Sequence, residues 1–391
     1  MSRRMSLTST VLMVLLFRQG RGRGLRGLVV LAASGGRAVV ADAVAVVAGP
    51  VRALVLLLRV AAISSPVSIP REAAHKRGLS VHAGCSWKRL AVLLVLLSAV
   101  RLSSGQMAGQ QKVADGVWFL IGDASKGYSN TTVIEMKDYL IVVDANYPGR
   151  AKELLGIVKG LSNKPVRYVF DTHAHGDHSY GNSVWTAAGA TTMAFRGVVT
   201  EMDRWEPTRW QAAMEKREDV RATGQSDVER PRKVIDGDRF ELKDGSREVD
   251  FLFLGWGHTP GDGYVWLPKE RILCTGDAAV NGPRNKLLDA SIANWPNVLD
   301  KAVALKPVHV LPGHGDAGGP EILTGQQRFL RDLYQAVRVQ ADMGRKPDEM
   351  QISLPEADSN WVPRSLQQDV ETVYLELVSH APAGSVPHVW K

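Results

Sequence analysis

The chain has 391 residues, 45% hydrophobic and 23% charged, with 37 Gly and 19 Pro, a globular mixture that excludes a collagenous or wholly disordered chain. Two Cys exclude a disulfide scaffold and a Cys-rich zinc module, so a metal site here must use His and carboxylate. The net charge of +8 is uneven: residues 1–112 hold 16 Lys and Arg against Asp42 and Glu72, a net +14, while residues 113–391 hold 32 basic and 38 acidic groups, a net −6. A body of that sign has no footprint for a phosphate backbone, which argues against nucleic acid as a partner.

Residues 1–80 carry an R-G-R-G-L-R-G run and long Ala, Val and Leu stretches broken by Arg, with almost no acids. They read as a disordered or artefactual extension, with translation starting near Leu79 or Val81. Gly22-Arg-Gly24-Leu-Arg-Gly27 matches the G-x-G-x-x-G fingerprint, but with no strand read before it and no acid placed for a ribose it is a compositional coincidence. Residues 81–106 have the layout of a secretory signal peptide: Lys88 and Arg89, an apolar run from Leu90 to Val100, then small polar residues with cleavage near Gly105. Such a run falls short of the roughly 20 residues that span a bilayer. No permanent membrane span is therefore expected in the mature protein, and the expected location is periplasmic or secreted.

From Asp115 short β-rich runs alternate with helical patterns. Gly116–Ile121, Thr131–Glu135 and Tyr139–Asp144 predict a strand meander, Ala151–Leu161 an amphipathic helix, Val166–Asp171 a strand, and Ser183–Ala188 a short helix. Gly197–Glu218 predicts a longer helical insert bearing Trp205 and Trp210. A second β-rich half runs through Arg239–Leu242, Arg247–Leu254, Gly263–Leu267 and Arg271–Cys274, then a helix over Pro296–Leu305 and a strand over Val308–Leu311. Glu321–Ala341 and Leu366–His380 close the chain as helices. Two β-meanders each followed by helices predict an α+β fold, a four-layer αββα sandwich behind an N-terminal leader.

The strand ending at Asp171 is followed by Thr172-His173-Ala174-His175-Gly176-Asp177-His178. On extended backbone residues two apart point the same way, so His173 and His175 can share one metal. A turn at Gly176 lets Asp177 and His178 face a second. Imidazole with carboxylate suits Zn or Fe. Three further candidates, His258 in G-H-T-P-G-D, Asp277 in T-G-D and His314 in P-G-H-G, each sit just beyond a predicted strand. Strand ends gathered along one edge make a rigid ligand cradle. Cys274, inside a strand, reads as core, and His309, His380 and His388 as ordinary.

This ordered set of motifs resembles the metallo-β-lactamase superfamily across nearly all of Asp115 to Ala341. The resemblance implies a catalytic domain over residues 112–391 with a C-terminal helical tail. It also implies two Zn2+ ions, with Fe or Mn as alternatives: His173, His175 and His258 on the first, Asp177, His178 and His314 on the second, and Asp277 bridging. Shared coordination lowers the pKa of water from 15.7 towards about 7. The expected function is thus a dinuclear zinc hydrolase whose bridging hydroxide opens an ester, thioester, lactone or lactam bond of a small molecule, with Asp177 as the catalytic residue that orients the hydroxide or takes its proton. Zinc β-lactamases carry Cys or Ser where this chain has Asp277, which looks instead like glyoxalase II and the lactonases, while Asp262 departs from the G-H-T-x-G-H of glyoxalase II. A zinc β-lactamase is the alternative and a mononuclear iron persulfide dioxygenase the second. Substrate contacts are expected from the hairpin at residues 124–130, the Trp205 and Trp210 insert and the loop at residues 281–286, with Tyr128, Tyr180, Asn281 and Arg284 as candidates.

Overall fold

The structure is a computed structural model describing residues 11–19, 25–33, 37–48, 53–60, 109–284 and 286–386. The signal-like segment 81–106, Asn285 and His388 lie outside the described residues. The chain divides into two units, one up to Leu93 and one from Leu94 onward. In the first, β1 (Val11–Gln19), β2 (Leu25–Ala33), β3 (Arg37–Ala48) and β4 (Ala53–Val60) pair as an antiparallel meander. A strand therefore does precede the G-x-G-x-x-G match, but the chain continues into β2 rather than opening a helix, so the fingerprint lacks the helix N-terminus that would hold a pyrophosphate.

The second unit holds two sheets. The first runs β11 (Lys233–Ile235), β10 (Thr191–Phe195), β9 (Val166–Phe170), β8 (Leu140–Val143), β7 (Thr131–Glu135), β6 (Val117–Leu120) and β5 (Gln110–Ala114). It is antiparallel from β5 to β8 and parallel from β8 to β11. The second runs β12 (Arg239–Lys243), β13 (Glu248–Phe253), β14 (Gly263–Leu267), β15 (Ile272–Gly276) and β16 (His309–Pro312), antiparallel but for the last pair.

The period of two decides the layers. Ile141 and Val143 join the core between the sheets while Leu140 and Val142 join the core beneath the helices, so β8 reads as an unbroken apolar run. In β14, Val265 and Leu267 point inward and Tyr264 and Trp266 outward. The inner core is tied by Phe170, whose ring centroid lies 4.8 Å from that of Phe251 on the facing sheet. Helix α1 (Pro148–Leu161) packs Ala151, Leu154 and Val158, at helical spacing, on the outside of the first sheet. Helices α7 (Trp295–Ala304), α8 (Glu321–Asp342) and α9 (Gln367–Ser379) cover the second. This is the αββα sandwich expected from the sequence.

In chain order the short helices α2 (Gly176–Ser179) and α3 (Asn182–Ala187) lie between β9 and β10, and the insert follows β10. The predicted continuous insert helix is three: α4 (Arg196–Trp205), α5 (Thr208–Lys216) and α6 (Glu218–Arg221). Pro207 ends the first, because the residue before a proline is driven out of the helical region. Helix α1 starts at Pro148 rather than Ala151, a proline being favourable at the first helical position. Strands β5, β10 and β11 escape the sequence reading; β11 has only three residues, too few for a pattern. Among the described residues no helix is long and apolar enough to cross a membrane.

Candidate metal centre

Each predicted ligand follows the carboxyl end of a strand. His173 and His175 lie beyond β9, His258 beyond β13, Asp277 beyond β15 and His314 beyond β16. Asp177 and His178 sit on α2, so the turn expected at Gly176 is the start of a short helix.

One donor atom each from His173, His175, His258 and Asp277 lies within 4.8 Å of the others, and the same holds for Asp177, His178 and His314. Asp277 reaches both groups: its Oδ1 is 3.4 Å from His178 Nε2, and its Oδ2 is 3.4 Å from His314 Nε2 and 4.0 Å from His258 Nε2. His175 Nδ1 and His258 Nε2 stand 3.2 Å apart, as do His314 Nε2 and Asp177 Oδ2. With metal to nitrogen bonds of about 2.0–2.1 Å, two ligands of one tetrahedral zinc are about 3.4 Å apart. Buried polar atoms are normally hydrogen-bonded, yet His173 Nε2, His178 Nε2 and Asp277 Oδ1 are buried without such a partner. A cation at each cluster would satisfy them, so the donor set fits a pair of metal ions.

The second nitrogen of three imidazoles is held from behind. His178 Nδ1 lies 2.8 Å from Asp144 Oδ2, and Asp144 Oδ1 accepts the Thr172 N–H at 2.9 Å. His173 Nδ1 is 3.1 Å from Thr172 Oγ1. His175 is reversed: its Nε2 lies 2.8 Å from Asp289 Oδ2, leaving Nδ1 for the cluster. Such partners fix both tautomer and ring orientation. His258 is set through its backbone, whose N–H donates to Asp262 Oδ2 at 2.6 Å.

Burial pushes His173, His175 and His258 down, His258 to about 3, keeping these imidazoles neutral and fit to bind metal. For His178 and His314 burial is opposed and overcome by carboxylates: Asp144, Asp277 and Asp177 raise the first well above its usual range, and Asp277 and Asp177 raise the second to about 9. Asp177 and Asp277 in turn stay well below the carboxylate range, because the two histidines outweigh their burial.

Two glycines admit the ligands. A Cβ at Gly313 would overlap Asp277 Oδ1, and one at Gly276, whose φ is +50°, would overlap Thr172. Gly313→Ala is expected to displace the Asp277 carboxylate and reduce bound metal to one equivalent or less; metal analysis beside an unchanged far-UV spectrum checks this.

Residues 124–314 match the family model described as the metallo-beta-lactamase superfamily. That stretch, just under half of the chain, is a metallo-β-lactamase superfamily domain. Its homologues are metal-dependent hydrolases. One relative, metallo-beta-lactamase type 2 of Bacteroides fragilis, is 40% identical over 89 residues, which are 22% of this chain and 36% of that protein. The protein of the same name from Bacillus cereus is 28% identical over 203 residues, 50% of this chain and 70% of that one. The solved structure of the stereoselective inverting sec-alkylsulfatase Pisa1 from Pseudomonas sp. shares the fold at a TM-score of 0.56 and 18% identity, covering 72% of this chain and 52% of that one.

Within this superfamily domain the expected substrate contacts fall in different places. Tyr180 is 3% exposed; its hydroxyl donates to Glu206 Oε1 at 2.6 Å and its ring packs on Trp210, so it anchors the insert rather than lining the mouth. Trp210 is itself fully buried and donates to the Gln225 carbonyl. Tyr128 is buried, with its hydroxyl beside Gly149 at the start of α1. The Asn281 side chain spans the Asp316 carbonyl and the Asn360 amide, a tie between loops. Arg284 is exposed on its loop. Tyr147, which the sequence reading missed, has its ring against the Gly176 turn and beneath the Arg217 guanidinium at 3.6 Å. Cys274 lies in the inter-sheet core, its thiol pushed up to about 12 by burial, and is no nucleophile.

Proposed function

We propose that the protein is an exported dinuclear zinc hydrolase acting on an ester, thioester, lactone or lactam bond of a small molecule. The observation that carries this reading is Asp277, one carboxylate within 3.4 Å of both His178 and His314 and within 4.0 Å of His258. A carboxylate shared between two clusters is suited to a pair of ions. Export rests on the signal-like segment at residues 81–106.

When bound, zinc would supply Lewis acidity towards the scissile carbonyl and acidify water so that a nucleophile exists near neutral pH. His173, His175 and His258 would hold one ion, Asp177, His178 and His314 the other, and Asp277 both. Asp177 is the residue placed for proton work. Its side chain retains 19% exposure where His178 is closed off, and it stays ionised because the neighbouring His178 and His314 outweigh its burial. It can therefore accept a hydrogen bond from the attacking water, fix its direction and take its proton at Oδ. Asp144 and Thr172 keep the imidazole donors aimed.

The β-lactamase reading is supported by the names of the Bacteroides and Bacillus relatives, and Asp277 in place of Cys or Ser argues against efficient β-lactam turnover. A panel of a chromogenic cephalosporin, a glutathione thioester, lactones and a bis-aryl phosphate separates the two. The proposal expects zinc-dependent turnover of a thioester or lactone above that of the cephalosporin; a preference for the cephalosporin favours the alternative, and no turnover of any ester or lactam contradicts both.

A further inference from the structure

We propose that Asp289 is a positioning residue for the three-histidine cluster, and that Arg209 of the insert and the C-terminal tail hold it in place. Asp289 lies in the loop between β15 and α7 and its side chain is 1% exposed. A carboxylate so buried needs partners, and His175 and Arg209 are among them. His175 Nε2 lies 2.8 Å from Oδ2, and Arg209 Nη2 lies 3.0 Å from both oxygens. An ionised carboxylate only accepts, so the proton sits on His175 Nε2 and the lone pair on Nδ1, the atom 3.2 Å from His258 Nε2. His173 and His178 are held the other way round, through Nδ1, so the contact with Asp289 goes with the reversed ring.

What fixes Asp289 comes from outside the two sheets. Arg209, on α5, stacks at 4.6 Å over Trp205, which donates to Glu201 at 3.0 Å on α4. The loop itself is clamped by Glu376 of α9, whose carboxylate accepts the N–H groups of Ile292, Ala293 and Ala383 at 2.9, 2.7 and 3.0 Å. The Gly384 N–H donates to the Ala290 carbonyl at 2.9 Å, and Arg204 of the insert donates to the Gly384 carbonyl at 2.6 Å. A Cβ at Gly384 would overlap the Asp289 carbonyl, so the tail meets this loop backbone to backbone. Insert and tail thus converge on one carboxylate, and through it on one ligand.

The inference rests on the reading of His175 as a metal ligand. Its test is a zinc titration of the full chain against a chromogenic chelator, with cobalt absorption reporting the ligand field and thermal unfolding run with and without metal. Asp289→Ala should weaken one of the two binding steps by about 10–100-fold and leave the other unchanged. Arg209→Met should weaken the same step, and Arg209→Lys should restore most of it. Because Arg209 lies outside the loop, its pair of variants remains informative if Asp289→Ala does not fold. Both steps unmoved in Arg209→Met, or both moved equally, would overturn the proposal, as would a loss of unfolding temperature that is the same with and without metal. If the unaltered protein binds no metal, the dinuclear reading itself fails; if it binds two ions and the variants match it, only the role of Asp289 fails.

Discussion

Asp177→Ala is expected to lower turnover of every substrate by at least the 10²–10⁴-fold that a positioned proton acceptor contributes, and to lower zinc content as well. Asp177 Oδ2 lies 3.2 Å from His314 Nε2 and 3.8 Å from His178 Nε2, so its loss removes both a donor and a base. Its side chain carries none of the apolar core, so the metal-free variant should still fold cooperatively, losing only the stabilisation that the ionised carboxylate exchanges with His178 and His314. Asp177→Asn keeps the shape and one oxygen but cannot take a proton, and should be as inactive while retaining more zinc. Steady-state kinetics beside metal analysis read both effects, and retained activity in either variant would contradict the role given to Asp177.

The second large effect is on pH. In the metal-free protein His178 is raised well above, and His314 to about 9 against, an ordinary value of 6.5, so both carry protons at pH 7. A raised folded pKa means that their contribution to metal-free stability is complete below about 6.5 and is lost as pH rises through about 9. The depressed Asp177 and Asp277 contribute stability present above the usual carboxylate range and lost on acidification. Zinc must displace the two histidine protons, so affinity at this cluster should climb between pH 7 and 9. His173, His175 and His258 are already neutral at pH 7, and the other binding step should release no imidazole proton. Calorimetry at pH 7 and 9.5 in buffers of different ionisation enthalpy measures this; equal proton release at both pH values would refute it.

The parts of this site that the sequence revealed are those whose donors lie close together or beside a glycine turn. H-A-H-G-D-H places four ligands within one strand exit, and His258, Asp277 and His314 each stand next to a glycine that only a close approach requires. The backing groups carry no such mark. Asp144 ends an apolar run, and Asp289 lies 114 residues from the His175 it holds, so only the folded chain pairs them. Arg209 looks like any charge on an amphipathic helix. The aromatic candidates failed for a related reason: Tyr180 and Trp210 resemble mouth residues in composition, but burial with a satisfied hydroxyl or indole makes them anchors. Tyr147 preceded a helix-opening proline and gave no sign of its contact with the Gly176 turn.

Metal content of the purified protein tests the central claim most directly. The arrangement of seven donors predicts two equivalents of zinc per chain, falling to one or fewer when Asp277 is changed to Ala. One iron per chain with oxygen consumption, or no tightly held metal at all, would contradict it.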